Sequence, residues 1–192
     1  MTVLKAIFVY FPLFLLLSCT KEAPKNAIPV VATPIPSIQA SELTTNDKGL
    51  SDMKAVLKTV HGNIVFKFYP KKAPNTVTRI IQLIQTSFYD GVTFHRVEPN
   101  YVVQTGDPTG TGRGGSGYKL NAEFNDIPHT KGVVAMARAM DPDSADSQFY
   151  FALGTLSNLD GKYTVFGKVV EGEELLNQIV VGDKILSLTL EK

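Results

Sequence analysis

Cysteine is almost absent from the sequence, and its scarcity excludes two classes of site. Among 192 residues the only cysteine is Cys19, so no disulfide can form within the chain and no cysteine cluster can hold a metal ion. The three histidines, His61, His95 and His129, lie 34 residues apart in each interval, which is not a metal-ligand spacing. The sequence therefore predicts no metal site.

An excess of charge of one sign is also missing. The chain has 19 basic and 18 acidic residues, and Lys5 is the one charged residue before Cys19, so the remainder carries no net charge. A balanced surface lacks the basic patch that binds phosphate backbones, and we expect no nucleic-acid partner. Apolar residues make up 44% of the chain, which is enough for a hydrophobic core.

Motifs of covalent and nucleotide chemistry are missing as well. The sequence contains no G-x-S-x-G elbow, and no cysteine lies beyond the N-terminal region to act as a nucleophile. The run Gly110–Gly115 reads GTGRGG, but it lacks the following Lys-Ser/Thr pair of a phosphate-binding loop and does not lead from a strand into a helix. We interpret it as a glycine-rich surface loop.

The N-terminal segment has the pattern of an export signal. Residues 1–18 contain one lysine followed by an apolar run from Ala6 to Leu17, which is too short for a comfortable membrane span and fits a signal peptide. The sequence Leu16-Leu17-Ser18-Cys19 then resembles a bacterial lipobox, which predicts lipidation of Cys19 and stable anchoring to the envelope. An ordinary signal peptide with an incidental cysteine is the alternative. Thr20 supplies no aspartate retention signal, which favours the outer membrane and a periplasmic domain.

Residues 19–51 predict a lipidated cysteine and a flexible tether. They contain four prolines among small polar residues and show neither helical nor strand periodicity. Such sequence cannot bury a core and behaves as an extended spacer. An unrecognised small domain is the alternative.

Residues 52–192 have the pattern of one domain of short strands with two helices. Ala73-Pro74 opens a helix whose apolar face includes Val77 and Ile84, and a second helix is predicted at about Glu173–Val181. Strands are predicted at Met53–Val60, Asn63–Tyr69, Val92–Val97, Tyr101–Gln104, Val133–Arg138, Gln148–Leu153, Tyr163–Val170 and Ile185–Leu190. We expect a mainly β domain, a closed eight-stranded antiparallel β-barrel capped by two α-helices.

Three blocks of sequence carry a family resemblance. The first is Phe94–Pro108, the second combines Met136–Ala139 with Ser147–Phe151, and the third is Leu159–Val169. Together they resemble the signatures of cyclophilins, which are peptidyl-prolyl cis-trans isomerases, in family order and at nearly family spacing from about residue 53 to residue 191. The resemblance implies an isomerase of X-Pro bonds that acts on proline-containing polypeptides and needs no cofactor. Nothing in the sequence suggests more than a monomer.

The resemblance also implies a set of site residues. The catalytic arginine falls on Arg96, and Gln104 supports it and contacts the peptide. Tyr101 and Val102 correspond to the aromatic and aliphatic walls of the proline pocket. The remaining substrate-binding positions fall on Ala137, Arg138, Gln148, Tyr150, Leu159 and Tyr163.

Several of these positions depart from the best-known members of the family. Those members have phenylalanine where Tyr101 and Tyr150 stand, and methionine where Val102 stands. Asn158 replaces a tryptophan that helps to hold cyclosporin, and Tyr163 replaces a histidine. A catalytically weak proline-peptide-binding or chaperone module is therefore the alternative function, and a lipid-anchored structural protein is a third.

The reaction suits residues of these types. Rotation about a peptide bond faces a barrier of about 18–20 kcal/mol, while the two X-Pro isomers differ by only about 1 kcal/mol. No bond is made or broken, so a fixed donor aimed at the proline nitrogen and a dry pocket for its ring suffice. Each residue also has a structural alternative. Arg96 could form a surface ion pair, the pocket residues could belong to the core, and the two glutamines could hydrogen-bond to backbone groups. We assign Met136 and Phe149 to the core and His95 to a peripheral role.

Overall fold

The computed structural model describes Gly49 and residues 52–192. The predicted signal peptide, the predicted lipidation site Cys19 and the tether lie outside the described residues, except for Gly49. Within the part of the chain that is described, no helix has the length and apolar character needed to cross a membrane.

The domain begins with a β-hairpin. Strands β1 (Lys54–Thr59) and β2 (Gly62–Phe68) pair antiparallel with Thr59 opposite Gly62, so the turn consists of Val60 and His61. The prediction placed the turn one residue later. Gly62 has a φ of +132°, a conformation that side-chain-bearing residues rarely adopt, which explains why glycine follows this turn.

A single α-helix, α1 (Pro74–Gln85), is present between residues 52 and 192. Pro74 occupies its first turn, where the missing N–H costs nothing. The helix buries the face that periodicity predicted, including Val77, Ile80, Ile81 and Ile84. This face packs into the main core, so α1 covers one side of the sheet.

Eight strands form one antiparallel sheet in the described domain. After β1 and β2, the strands are β3 (Arg96–Glu98), β4 (Val102–Thr105), β5 (Val133–Met136), β6 (Phe149–Ala152), β7 (Val165–Glu171) and β8 (Ser187–Glu191). Their spatial order is β3-β4-β6-β5-β7-β2-β1-β8, and every pairing is antiparallel. The predicted strand count and the mainly β class are confirmed.

The prediction of a closed barrel is corrected by the order of the strands in the sheet. Strands β3 and β8 are its two edges and do not pair with each other, so the sheet curls into a half-barrel. The segments that precede them are linked instead: Phe94 donates its N–H to Asp183, and Ile185 donates to Val92. Residues predicted to begin strands at Val92 and Ile185 therefore lie in this irregular connection, because their hydrogen bonds do not continue into a ladder.

The second predicted α-helix is also corrected. Residues Glu173–Asn177 form a short 3-10 helix, in which Gln178 donates its N–H to Leu175, a three-residue step. Gly172 precedes it in a left-handed conformation and offers no capping side chain. Leu176 and Ile179 are buried, but Val180 is 59% exposed, so too little apolar surface is buried here to support a longer helix. The apolar pattern was correct in one respect, since Leu176 is buried in the core.

Alternation along the central strands separates two apolar clusters. Val103, Val134 and Phe151 point into the main core, together with Met136 and Phe149. Their sequence neighbours point to the opposite face and form a second cluster, which comprises Val102, Val133, Ala135, Tyr150, Ala152, Leu156, Leu159 and Val165. The assignment of Met136 and Phe149 to the core is confirmed, and the second cluster is the one that borders the cleft described below.

Phe66 is the aromatic centre of the main core. Its ring is fully buried and lies 5.4 Å from Phe68, 6.0 Å from Phe151 and 6.5 Å from both Phe149 and Phe166, measured between ring centroids. Edge-to-face and tilted arrangements of this kind add to the free energy gained from burial. The ring thus links β2, β6 and β7 through one set of contacts.

We predict that Phe66→Ala lowers the free energy of unfolding by about 3–5 kcal/mol, because the substitution leaves a cavity among four packed rings. Urea denaturation of the full chain measures this loss. Val60→Ala, at a position that is 62% exposed, is the control and should change the value by less than about 0.5 kcal/mol. Equal losses in both variants would contradict the central position of Phe66.

Candidate active site

The register of four strands places candidate residues in one row. Arg96 of β3 lies directly opposite Gln104 of β4, Gln104 lies opposite Tyr150 of β6, and Tyr150 lies opposite Ala135 of β5. Side chains of directly opposite residues project from the same face of a sheet and lie close together. A charged donor, an amide and an aromatic ring are therefore aligned across the outer face of the half-barrel.

This row borders a cleft of about 450 Å³. Its lining includes nine of the ten predicted catalytic and substrate-binding residues: Arg96, Tyr101, Val102, Gln104, Ala137, Arg138, Tyr150, Leu159 and Tyr163. Gln148, the tenth, lines an adjoining cleft and reaches this one through Gln104. The structure thus brings together residues that are as many as 67 positions apart in the sequence.

The floor of the cleft is apolar and buried. Val102, Tyr150 and Leu159 are all less than 9% exposed, yet they belong to the second cluster on the outer face of the sheet and not to the main core. Tyr101 and Tyr163 pack against that cluster and are partly exposed. The result is a pocket with an apolar floor that opens toward solvent between aromatic walls, a combination typical of ligand sites.

Arg96 is held at the rim by three hydrogen bonds. Its Nε and Nη2 atoms donate to the same carboxylate oxygen of Glu98 at 2.9 and 2.7 Å, and Nη1 donates to the Gln104 side chain at 3.1 Å. The guanidinium carbon lies 5.9 Å from the centroid of the Tyr101 ring. Arg96 therefore forms the surface ion pair that was its structural alternative, and it lines the cleft as well. A guanidinium has five N–H donors, so two have no partner in the described domain.

Two glutamines extend this network into the neighbouring loop. Gln104 donates from its amide nitrogen to the side-chain oxygen of Gln148 at 2.9 Å, and Gln148 in turn donates to the backbone carbonyl of Gly114 at 2.8 Å. Each amide thus has a defined orientation, since its oxygen accepts from one neighbour and its nitrogen donates to the next. These hydrogen bonds fix the rotamer of Gln104, and Gln104 in turn fixes the position of Nη1 of Arg96.

A buried polar chain supports the pocket from below. The hydroxyl of Tyr150 lies 2.9 Å from Nε2 of His129, and Nδ1 of His129 lies 2.9 Å from the Asp160 carboxylate. Burial raises the pKa of Tyr150, so its hydroxyl stays protonated. Bonds from the backbone and ring of His129 lower the pKa of Asp160, so this group is a carboxylate that accepts from Nδ1. The Tyr150 hydroxyl is thus directed at the buried ring of His129.

The cleft also contains residues that were not predicted. His95, Thr111 and Gly112 complete its lining. Neither ring nitrogen of His95 has a hydrogen-bond partner within residues 52–192, and burial lowers its pKa, so the ring is neutral. The signal in the sequence was its position next to Arg96, directly before β3 begins.

Asp107 organises the glycine-rich loop at the edge of the cleft. Its buried carboxylate accepts hydrogen bonds from the backbone N–H groups of Thr109, Gly112 and Gly114 and from the Thr109 hydroxyl. Burial alone would raise the pKa of Asp107, but these bonds outweigh it and hold the pKa well below its ordinary value. The run Gly110–Gly115 therefore wraps around an internal carboxylate, which explains its fixed course.

Comparison with known proteins gives one consistent result. The family model described as "Cyclophilin type peptidyl-prolyl cis-trans isomerase/CLD" matches residues 54–187. A peptidyl-prolyl cis-trans isomerase of Synechococcus elongatus is 42% identical over 139 residues, which cover 71% of this chain and 95% of the relative. Peptidyl-prolyl cis-trans isomerase B of Bacillus subtilis is 42% identical over 130 residues, covering 67% and 90% respectively.

Solved structures agree with the sequence comparison. A cyclophilin-type peptidyl-prolyl cis-trans isomerase of Cryptosporidium parvum, crystallised in the presence of the dipeptide Ala-Pro, superposes with a TM-score of 0.68. It is 26% identical in sequence, and the match covers 72% of this chain and 99% of that one.

We predict that Asp107→Asn destabilises the domain by about 1.5–3 kcal/mol at pH 7, because an amide cannot accept all the bonds that the carboxylate accepts. The folded-state pKa of Asp107 is lowered, so its contribution is present above its unfolded pKa of about 3.9 and is lost as the pH falls below that value. Urea denaturation of both proteins between about pH 2 and pH 7 should show the difference shrinking on acidification. A constant difference across this range would contradict the assignment.

Proposed function

Since the chain belongs to the cyclophilin family and is a peptidyl-prolyl cis-trans isomerase, we propose where it acts and on what. It catalyses the cis–trans isomerisation of X-Pro peptide bonds of exported proteins, and the reaction takes place in the cleft beside Arg96. The observation that carries the proposal is the placement of Arg96 and Gln104 side by side at the rim of a dry pocket. Polar donors and an apolar pocket within one cleft are what the reaction requires.

Arg96 supplies the donor. As the X-Pro bond twists, amide resonance is lost and the proline nitrogen regains a lone pair that accepts a hydrogen bond. Arginine stays charged at any physiological pH, and its two remaining N–H groups are available to the substrate. Because Glu98 and Gln104 already fix the guanidinium, little reorganisation is needed when the transition state forms.

The proline ring enters the apolar pocket. Tyr101, Val102, Tyr150 and Leu159 surround a space that suits a pyrrolidine ring, and their burial keeps water out. Holding the ring fixes one side of the peptide bond while the other side rotates. The Cryptosporidium relative was crystallised in the presence of the dipeptide Ala-Pro, which supports proline peptides as the ligand class.

The site of action is the cell envelope in this proposal. The apolar run before Cys19 and the placement of the chain's only cysteine at a lipobox support export and lipid anchoring. The proline-rich tether would hold a monomeric catalytic domain away from the membrane, where exported chains fold. Thr20 after the cysteine favours the outer membrane.

We predict that Arg96→Ala lowers kcat/KM for cis–trans exchange of a short X-Pro peptide by about 100-fold or more, the cost of removing a preorganised donor. The measurement uses the full chain in a coupled or exchange-NMR assay. Peptide affinity should change much less, because the apolar pocket that holds the ring is intact.

Two comparisons make this test specific. Arg96→Lys keeps the charge but not the planar fork, and it should recover only part of the loss. Lys58→Gln removes a positive charge from β1, which borders no part of the cleft, and should leave turnover unchanged. If the intact chain binds the peptide without accelerating exchange, it is a binding module and the catalytic proposal fails.

We predict that Cys19→Ser releases the protein from the membrane fraction of its bacterial host, since the substitution removes the acyl chains that anchor it. Metabolic labelling with a radioactive fatty acid should mark the wild-type chain and not the variant. Labelling of both, or membrane retention of the unlabelled variant, would contradict the lipoprotein assignment.

A further inference from the structure

A second cleft adjoins the proposed proline site. Its volume is about 440 Å³, and it shares Gln104, Gly112, Ala137 and Arg138 with the first cleft. A peptide whose proline lies in the first cleft and whose backbone passes Ala137 therefore continues over the opening of the second. The shared residues make the two clefts one continuous surface for an extended chain.

Positive charge dominates the second cleft. Arg113, Lys119 and Arg138 line it, and no carboxylate in the described domain lies within ion-pair distance of any of them. Asp146 is the one acidic residue in the lining, and its oxygens accept hydrogen bonds from the backbone and hydroxyl of Ser116 and from the backbone of Gly117. The Asp146 carboxylate thus already accepts hydrogen bonds from the loop at Ser116 and Gly117.

Arg138 is held in place at the junction of the two clefts. Its Nε donates to the carbonyl of Lys162 at 3.0 Å, and Nη1 donates to the carbonyls of Ala139 and Met140 at 2.9 and 3.1 Å. The guanidinium also lies 4.8 Å from the centroid of the Tyr163 ring. Its Nη2 group donates to no residue of the described domain, although the rest of the fork is fixed by carbonyls and an aromatic face.

An immobilised guanidinium with free donors is suited to bind a carboxylate. Hydrogen bonds to three carbonyls already hold the Arg138 side chain in one rotamer. Binding of a ligand therefore costs little further side-chain entropy. Carbonyl oxygens do not neutralise its charge, and Arg113 and Lys119 add to the positive potential of the same cleft.

We propose that the second cleft is a subsite for an acidic side chain, and that the enzyme prefers X-Pro sequences with Asp or Glu at one flanking position. This inference rests on the proposed function, because it assigns a substrate preference to the same peptide-binding surface. The preference is electrostatic, so its size is that of partly exposed ion pairs, about two- to fivefold in kcat/KM, and it weakens with salt.

The test compares peptides that differ only in Glu, Gln or Lys, placed in turn at each position flanking the X-Pro pair. With the full chain at low salt, Glu at one position should raise kcat/KM about two- to fivefold over Gln, and Lys there should lower it. At about 0.5 M salt the three peptides should become similar. Titration of the same peptides by calorimetry gives their relative affinities independently of turnover.

Matched variants test whether the second cleft is the source of the preference for Glu over Gln. The double substitution Arg113→Gln and Lys119→Gln should lower the Glu-to-Gln ratio, and the further substitution Arg138→Gln should bring it close to one. The pair Lys58→Gln and Lys184→Gln removes the same charge from residues that line neither cleft, and should preserve the ratio. Turnover of all peptides at equal rates would overturn the subsite while leaving the isomerase intact. Absence of turnover would instead count against the proposed function, and equal affinities in calorimetry would then overturn the subsite separately.

Discussion

The site depends on the antiparallel register between β3 and β4. This register sets Arg96 opposite Gln104, and β4 with β6 sets Gln104 opposite Tyr150. Because side chains alternate between the faces of a strand, a shift of one residue would turn Arg96 toward the core and bring Val103 to the surface. The main core resists such a shift, since Val103 and Phe151 are fully buried there. Packing on the inner face therefore fixes the chemistry on the outer face.

Local pattern in the sequence was enough to predict most elements. The apolar face of the helix that begins at Pro74 and the number of strands were confirmed. The errors arose where a local pattern had no long-range partner. Val92 and Ile185 are apolar but pair with each other irregularly, and Val180, in the second predicted helix, is exposed and packs against no other element. Element type depends there on hydrogen bonds between distant segments, which periodicity does not report.

The sequence predicted which residues line the site but not the hydrogen bonds that join them to their neighbours. Resemblance placed nine residues that the structure gathers into one cleft. It gave no indication that Glu98 bonds to Arg96, that Gln148 reaches Gly114, or that Tyr150 is bonded to His129. These contacts depend on loops that meet only in the folded chain.

The contact between Arg96 and Glu98 raises the question of whether a carboxylate weakens the proposed donor. Both side chains are about half exposed, so the ion pair is screened by water and cannot cancel the charge of the guanidinium. Its effect is geometric, because two bonds to one oxygen and a third to Gln104 define the plane of the fork. Arg138 reaches the same fixed state through carbonyls and keeps its full charge. One arginine is thus arranged to donate at a defined angle, and the other to attract a charge.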